Sequence, residues 1–85
     1  MTWIKTAKTV KADGTTINEY TAREQQRITI ESRKRPIPHA SGSGFWMHTS
    51  FFVLVDGTEI KERFSLKDAK AFAEKLQFME DLNHG

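Results

Sequence analysis

Residues 45–82 read FWMHTSFFVLVDGTEIKERFSLKDAKAFAEKLQFMEDL, which is the pattern of a strand, a turn, a second strand and a helix. Asp56-Gly57 sits between two runs rich in aromatic and β-branched residues. Asp-Gly favours a two-residue hairpin turn because such a turn needs positive φ at both central positions. Counting outward from it pairs Val55 with Thr58, Leu54 with Glu59, Val53 with Ile60, Phe52 with Lys61, Phe51 with Glu62 and Ser50 with Arg63. Side chains alternate between the two faces of a strand. This register therefore puts Phe45, Met47, Phe51, Val53, Val55, Ile60 and Phe64 on a core side. The other side carries Trp46, His48, Ser50, Phe52 and Leu54 with Glu59, Lys61 and Arg63. Both faces hold apolar groups, and one helix covers only one of them.

That helix has a clear start. Ser65 is an N-cap candidate and Asp68 stands three residues on, near the positive end of the helix dipole. Leu66, Ala69, Phe72, Ala73, Leu76 and Met79 recur at helical spacing and form one apolar stripe, with Phe78 off it. Glu80 and Asp81 oppose the dipole at the far end, so fraying is expected after about Met79.

Upstream, Arg27-Ile28-Thr29-Ile30-Glu31-Ser32-Arg33 alternates as a half-buried strand with Ile28 and Ile30 turned inward. A basic loop follows, Arg33-Lys34-Arg35-Pro36-Ile37-Pro38-His39, and then the flexible run Ser41-Gly42-Ser43-Gly44. Asp13-Gly14 marks an N-terminal hairpin, in which counting from the turn pairs Val10 with Ile17, Lys8 with Glu19 and Ala7 with Tyr20. The expected fold is α+β: a small antiparallel sheet of three to five strands packed on one C-terminal helix. Residues 1–85 are expected to form one domain, an N-terminal hairpin over 1–24 and a strand, basic loop and β-β-α unit over 26–82.

With 85 residues and no cysteine, the chain has one small core, without a disulfide framework or thiolate metal site. No apolar run suggests a signal peptide or a membrane span, so a soluble, cytoplasmic protein is expected. The net charge is only +2, unevenly placed. Residues 1–44 hold eight Lys and Arg against four Asp and Glu, and residues 45–85 hold five against seven. An anionic partner should engage the N-terminal half first.

Little in the chain suggests catalysis. His39, His48 and His84 have no second ligand at a metal-binding interval. Ser41 and Ser43 lie near His39 in sequence but lack a strand-to-helix elbow and an orienting acid. The chain is therefore expected to be no enzyme and to need no cofactor or metal. The basic loop is the stronger signal. Three consecutive cations can contact phosphates, and Pro36 and Pro38 stiffen the segment that would dock.

Gly44 with Phe45 and Trp46, then Asp56-Gly57, Phe64, Ser65 and Ala69, resemble the arm-type DNA-binding domain of tyrosine recombinases of phages and conjugative elements. The resemblance spans residues 44–82; Phe64 directly abuts Ser65, where that family has a residue between. It implies a three-stranded sheet on a C-terminal helix, with the face away from the helix entering the major groove. By position that assigns Trp46, His48, Ser50, Phe52, Lys61 and Arg63 to the contact. Ser65-Leu66-Lys67-Asp68-Ala69-Lys70 is also similar to the end of a double-stranded-RNA-binding domain, which implies phosphate contacts from Lys67 and Lys70.

Together these features describe a small non-enzymatic nucleic-acid-binding protein of phage or mobile-element type. Its candidate contact residues are Arg33, Lys34, Arg35, His39, Trp46, His48, Phe52, Lys61 and Arg63. The expected partner is nucleic acid, DNA ahead of RNA. The competing expectation is a protein-interaction factor that inhibits a host nucleic-acid-binding protein, as an anti-CRISPR-like protein would, because Trp46, Phe52 and Leu54 suit a protein interface core. The same face could form a homodimer.

Overall fold

Five strands follow one another in space as they do in sequence: β1 (Trp3–Val10), β2 (Thr16–Ala22), β3 (Ile28–Pro38), β4 (Phe45–Val55) and β5 (Thr58–Arg63), an antiparallel meander. Helix α1 (Leu66–His84) packs across β3, β4 and β5 on one face. The computed structural model describes residues 1–40, 42 and 44–84, with the side chains of residues 80–84 outside that description. Ser41 and Ser43, on which half of the expected Ser-Gly loop falls, lie outside the described residues.

The core is small, as the chain length requires. Ile28, Ile30 and Val53 meet Ala69 and Ala73 of α1, with Trp3, Tyr20, Phe51, Val55, Leu66, Phe72 and Leu76 partly buried around them. Ile30 and Val53 are paired directly and are the largest fully buried side chains. Ala69 and Ala73 face the sheet without bulk, so the helix can approach closely. The Ser65 hydroxyl accepts the Asp68 amide at 3.1 Å, as the capping pattern predicts. Met79 falls outside the stripe and is half exposed. The helix is continuous to His84.

Both hairpins use Asp-Gly, yet they turn differently. Asp56 and Gly57 both have positive φ, 53° and 83°, which is the expected two-residue turn. In the first hairpin only Gly14 does. There the Gly14 amide donates to the Lys11 carbonyl at 3.0 Å and the Lys11 amide to Thr15 at 2.8 Å, so the loop has three residues ending in a left-handed glycine. The extra residue changes the register: Val10 pairs with Thr16, Lys8 with Asn18 and Ala7 with Glu19, instead of Ile17, Glu19 and Tyr20. A bulge at Thr6 then lets Lys5 pair with Tyr20.

A second bulge corrects the other register. Val55–Thr58 and Leu54–Glu59 pair as counted, but Val53 then pairs with Lys61, Phe52 with Glu62 and Phe51 with Arg63. Ile60 is the extra residue, and it is 43% exposed instead of core. Phe64, expected inside, is also exposed. Everything in β5 beyond Ile60 therefore faces opposite to its expected side.

The basic segment is not a loop. Lys34 to Pro38 continue β3, paired with Thr49 to Phe45 of β4. Two prolines are accommodated because of strand parity. The His39 amide donates to Gly44 across the hairpin, so odd-numbered residues of β3 bond toward β4. The nitrogens of Pro36 and Pro38 point to the side of β2, whose pairing ends at Lys34. The long β3–β4 hairpin accordingly projects beyond both β2 and the helix. The molecule extends 56 × 21 × 19 Å, with a radius of gyration of 15.1 Å, against about 12 Å for a compact domain of this length.

Candidate functional site

Paired residues of antiparallel strands share a face, so the registers divide every strand charge between two sides. On the helix side lie Lys5, Lys8, Lys34, Lys61 and Arg63, with no carboxylate from any strand. On the outer side lie Glu19, Glu31, Glu59 and Glu62 with Arg33 and Arg35. The charge asymmetry that the sequence suggests between two halves of the chain is, in three dimensions, an asymmetry between two faces of one sheet.

The candidate contact residues scatter accordingly. Trp46, His48 and Phe52 share the outer side of β4 as expected, and Arg33 and Arg35 lie beside them on β3. Lys34 is on the helix side. Lys61 and Arg63, expected beside Phe52, are corrected to the helix side by the bulge at Ile60. Arg63 stacks over the Phe72 ring of α1, 5.0 Å from its centroid, and so helps hold the helix. His39 is exposed where the hairpin leaves β3.

Arg33 is fully engaged within the fold. Its Nε donates to Glu31 at 2.7 Å, its Nη2 donates to Glu59, and its guanidinium covers the Phe52 ring at 4.2 Å. These carboxylates, Glu31 first, hold its pKa above the usual arginine value. Arg33 has little left for a phosphate. Glu31 also sits directly opposite Glu19, and Phe52 separates it from Glu62. Like charges facing across strands repel, so Arg33 is the counter-charge that makes this row tolerable.

Lys34 and Arg35 differ from Arg33: both are exposed, and neither has an ion-pair partner among the described residues. Lys8 and Lys5 are exposed on β1. Trp3 and Tyr20 pack against the core and the N-terminal amine lies 3.7 Å from Glu74 of α1, but Lys5, Lys8 and Lys34 are exposed on the helix side of β1 and β3. Sequence reasoning missed Lys5 and Lys8 as candidates. Their shared face depends on the Thr6 bulge and on the length of the first turn, neither of which spacing alone reveals.

At the projecting end, Phe45 is 64% exposed, Trp46 50% and Met47 38%. Phe45 and Met47 lie on the expected helix side, but no helix reaches them. A groove of about 420 Å³ runs between Pro36, Pro38, Phe45 and Met47 and the β1–β2 turn at Asp13 and Gly14. Gly14 packs so close that a Cβ there would lie 3.4 Å from Pro36 Cγ. On the outer side Trp46 meets His48 almost perpendicularly, centroids 6.3 Å apart, and His48 Nε2 lies 3.2 Å from Ser50 Oγ.

Three surface carboxylates tie the chain ends and turns together. Glu24 accepts the Thr2 amide at 2.8 and 3.0 Å, Asp13 accepts the Thr15 amide at 2.9 Å, and Asp56 accepts from Arg27 Nε and Nη2 at 2.9–3.1 Å. Hydrogen bonds from Thr2, Thr15 and Arg27 respectively are the largest cause holding each pKa below the usual carboxylate value. A depressed carboxylate pKa stabilises the fold above the unfolded-state value, and that contribution disappears as pH falls through the folded-state value. Urea midpoints should therefore be flat from neutrality down to about pH 4.5 and fall below it. Asp56→Asn should lower the neutral midpoint and flatten the acid limb; an unchanged acid limb would show that the Arg27 pair contributes nothing.

The fold and its surface define a sheet-and-helix α+β domain with segregated charge and an exposed aromatic hairpin end. Comparison with protein-family models, with curated proteins and with solved structures gives no match. Among the described residues there is no group of three His, Cys, Asp or Glu that could hold a metal ion, and no helix is long and apolar enough to cross a membrane.

Proposed function

We propose that this chain is a non-enzymatic nucleic-acid-binding module that engages its ligand with the helix side of the sheet. The observation that carries the reading is the charge segregation: five strand cations share that side without a strand carboxylate. The open part of it holds Lys5, Lys8 and Lys34, whose ammonium groups have no ion-pair partner among the described residues. A polyanion neutralises such a surface and releases its own counterions on doing so. The outer side around Phe52 and Leu54, with four carboxylates, would repel a phosphate backbone. A cytoplasmic location belongs to this reading, since a chain without cysteine needs no oxidising compartment to fold.

The test is the salt dependence of binding. Replacing Lys8 and Lys34 together with alanine should weaken binding to a labelled oligonucleotide and reduce the slope of log K against log salt by roughly 1–2. If the wild-type chain binds neither duplex nor single strands at about 50 mM salt, the reading is wrong.

A protein ligand is the second reading, and the outer side favours it. There Ile17, Phe52 and Leu54 lie partly buried among Glu19, Glu31, Glu59 and Glu62, an apolar strip with an acidic rim. A basic protein surface, such as the nucleic-acid site of a host protein, complements that pattern. Cross-linking from Leu54→Cys to a purified basic partner would support it.

A further inference from the structure

We infer that the free end of the β3–β4 hairpin takes single-stranded DNA. This rests on the nucleic-acid reading above and adds to it which form of nucleic acid is bound and by which residues.

The inference starts from the exposed rings. Phe45 is 64% exposed and Trp46 50%, on neighbouring positions of β4 and hence on opposite sides of the ribbon. Neither is covered by α1, which packs on the other half of the hairpin. Two exposed rings at the tip of a projecting ribbon, Trp46 with the His48 ring 6.3 Å away, can each accept an unpaired base on a π-face. A duplex offers them nothing comparable, because its base faces are already stacked.

The charges beside the rings complement a phosphate chain. Residues 34–38 and 45–49, the paired part of the hairpin from the last β2 pair at Lys34 outward, contain Lys34 and Arg35 and no carboxylate. Phe45 lies four residues beyond Thr49, the partner of Lys34, which is about 13 Å along the strand. A strand could thus stack on Phe45 and place its next phosphates at Lys34. Lys8 continues the path, since Lys8 and Lys34 share the helix side with only β2 between their strands. Asp13 is the exception. It lines the groove, and its carboxylate accepts the Thr15 amide at 2.9 Å.

Nothing along the paired part of the hairpin requires ribose, so a deoxyribose strand suffices. Ribose recognition needs hydroxyl or amide groups free to meet the 2′-hydroxyl. In this part of the hairpin His48 is taken up by Ser50, which leaves Thr49.

Fluorescence anisotropy with three labelled 20-mers, oligo-dT, oligo-rU and a mixed-sequence DNA duplex, at about 50 mM salt tests this. Oligo-dT should bind at least tenfold more tightly than the duplex and no more weakly than oligo-rU. Phe45→Ala and Trp46→Ala should each weaken oligo-dT binding by roughly fivefold to a hundredfold while leaving duplex binding unchanged. Both rings are exposed, so both variants should keep the wild-type circular dichroism and melting temperature. In the Trp3→Phe variant, emission from Trp46 should be quenched by oligo-dT. Equal or tighter duplex binding, a clear preference for oligo-rU, or ring variants with unchanged oligo-dT affinity overturns the inference and leaves the nucleic-acid reading standing. So does a dimer in sedimentation that Trp46→Ala abolishes, since it assigns the rings to a second copy. Failure of all three oligonucleotides to bind overturns both.

Discussion

Ile30→Ala should destabilise the fold by about 2–5 kcal/mol, the largest effect expected of any single truncation in this chain. Ile30 is fully buried, pairs with Val53 on β4 and Tyr20 on β2, and lies under α1. The surroundings cannot collapse around the deleted atoms, because Ala69 and Ala73 have no bulk with which to fill the space. A domain of 85 residues has on the order of 4–13 kcal/mol of total stability, so this one change removes a large share of it. In urea unfolding the midpoint should fall sharply; near the lower end of that range the variant is partly unfolded before denaturant is added. Ile60→Ala is the contrast. Simple counting makes Ile60 a core residue, but at the bulge it is 43% exposed, and its loss should cost under about 1 kcal/mol. Equal costs at the two sites would mean that the bulge does not exist in solution.

Arg33→Met should cost about 1–2 kcal/mol while leaving nucleic-acid affinity and its salt slope unchanged. The side chain is 35% exposed, which discounts its ion pairs for solvent screening. Glu31, however, is only 19% exposed and faces Glu19, so without Arg33 it is a poorly solvated charge beside a like charge. Methionine keeps some cover over Phe52 and isolates the electrostatic loss. Adding Glu31→Gln should recover much of the stability, and the double-mutant cycle reads the coupling between the two residues. Lys34→Ala, one position away, should do the opposite: stability within about 0.5 kcal/mol of wild type and a shallower salt slope. Should Arg33→Met weaken binding as much as Lys34→Ala does, the division between structural and ligand-facing cations is wrong.

These two neighbours show where the sequence stops being informative about the site. Arg33-Lys34-Arg35 is plainly a cationic run, and alternation alone says that its members point both ways. What each cation meets depends on residues distant in sequence. Glu59 reaches Arg33 across β4, and β2 supplies the Glu19 that faces Glu31. The helix Leu66–His84, its Ser65 cap, the Asp56-Gly57 turn and the inward Ile28 and Ile30 were all legible, because each depends on spacing or local backbone chemistry. The registers of both hairpins were not. A bulge is a one-residue departure from alternation, and it is stabilised by packing on either side of it instead of by a residue type that marks it.

The sequence by itself determined the class of fold, since period-2 and period-3.6 patterns and two turn signals act locally and set antiparallel strands before one capped helix. Only the tertiary structure decided which charges share a face. The bulges at Thr6 and Ile60 and the three-residue turn at Gly14 shift whole strands by one position. In a pleated sheet one position is the difference between the two sides. The positive side was thereby moved from the outer surface to the helix side, and the ribbon end bearing Phe45 and Trp46 was left bare where β2 and α1 stop.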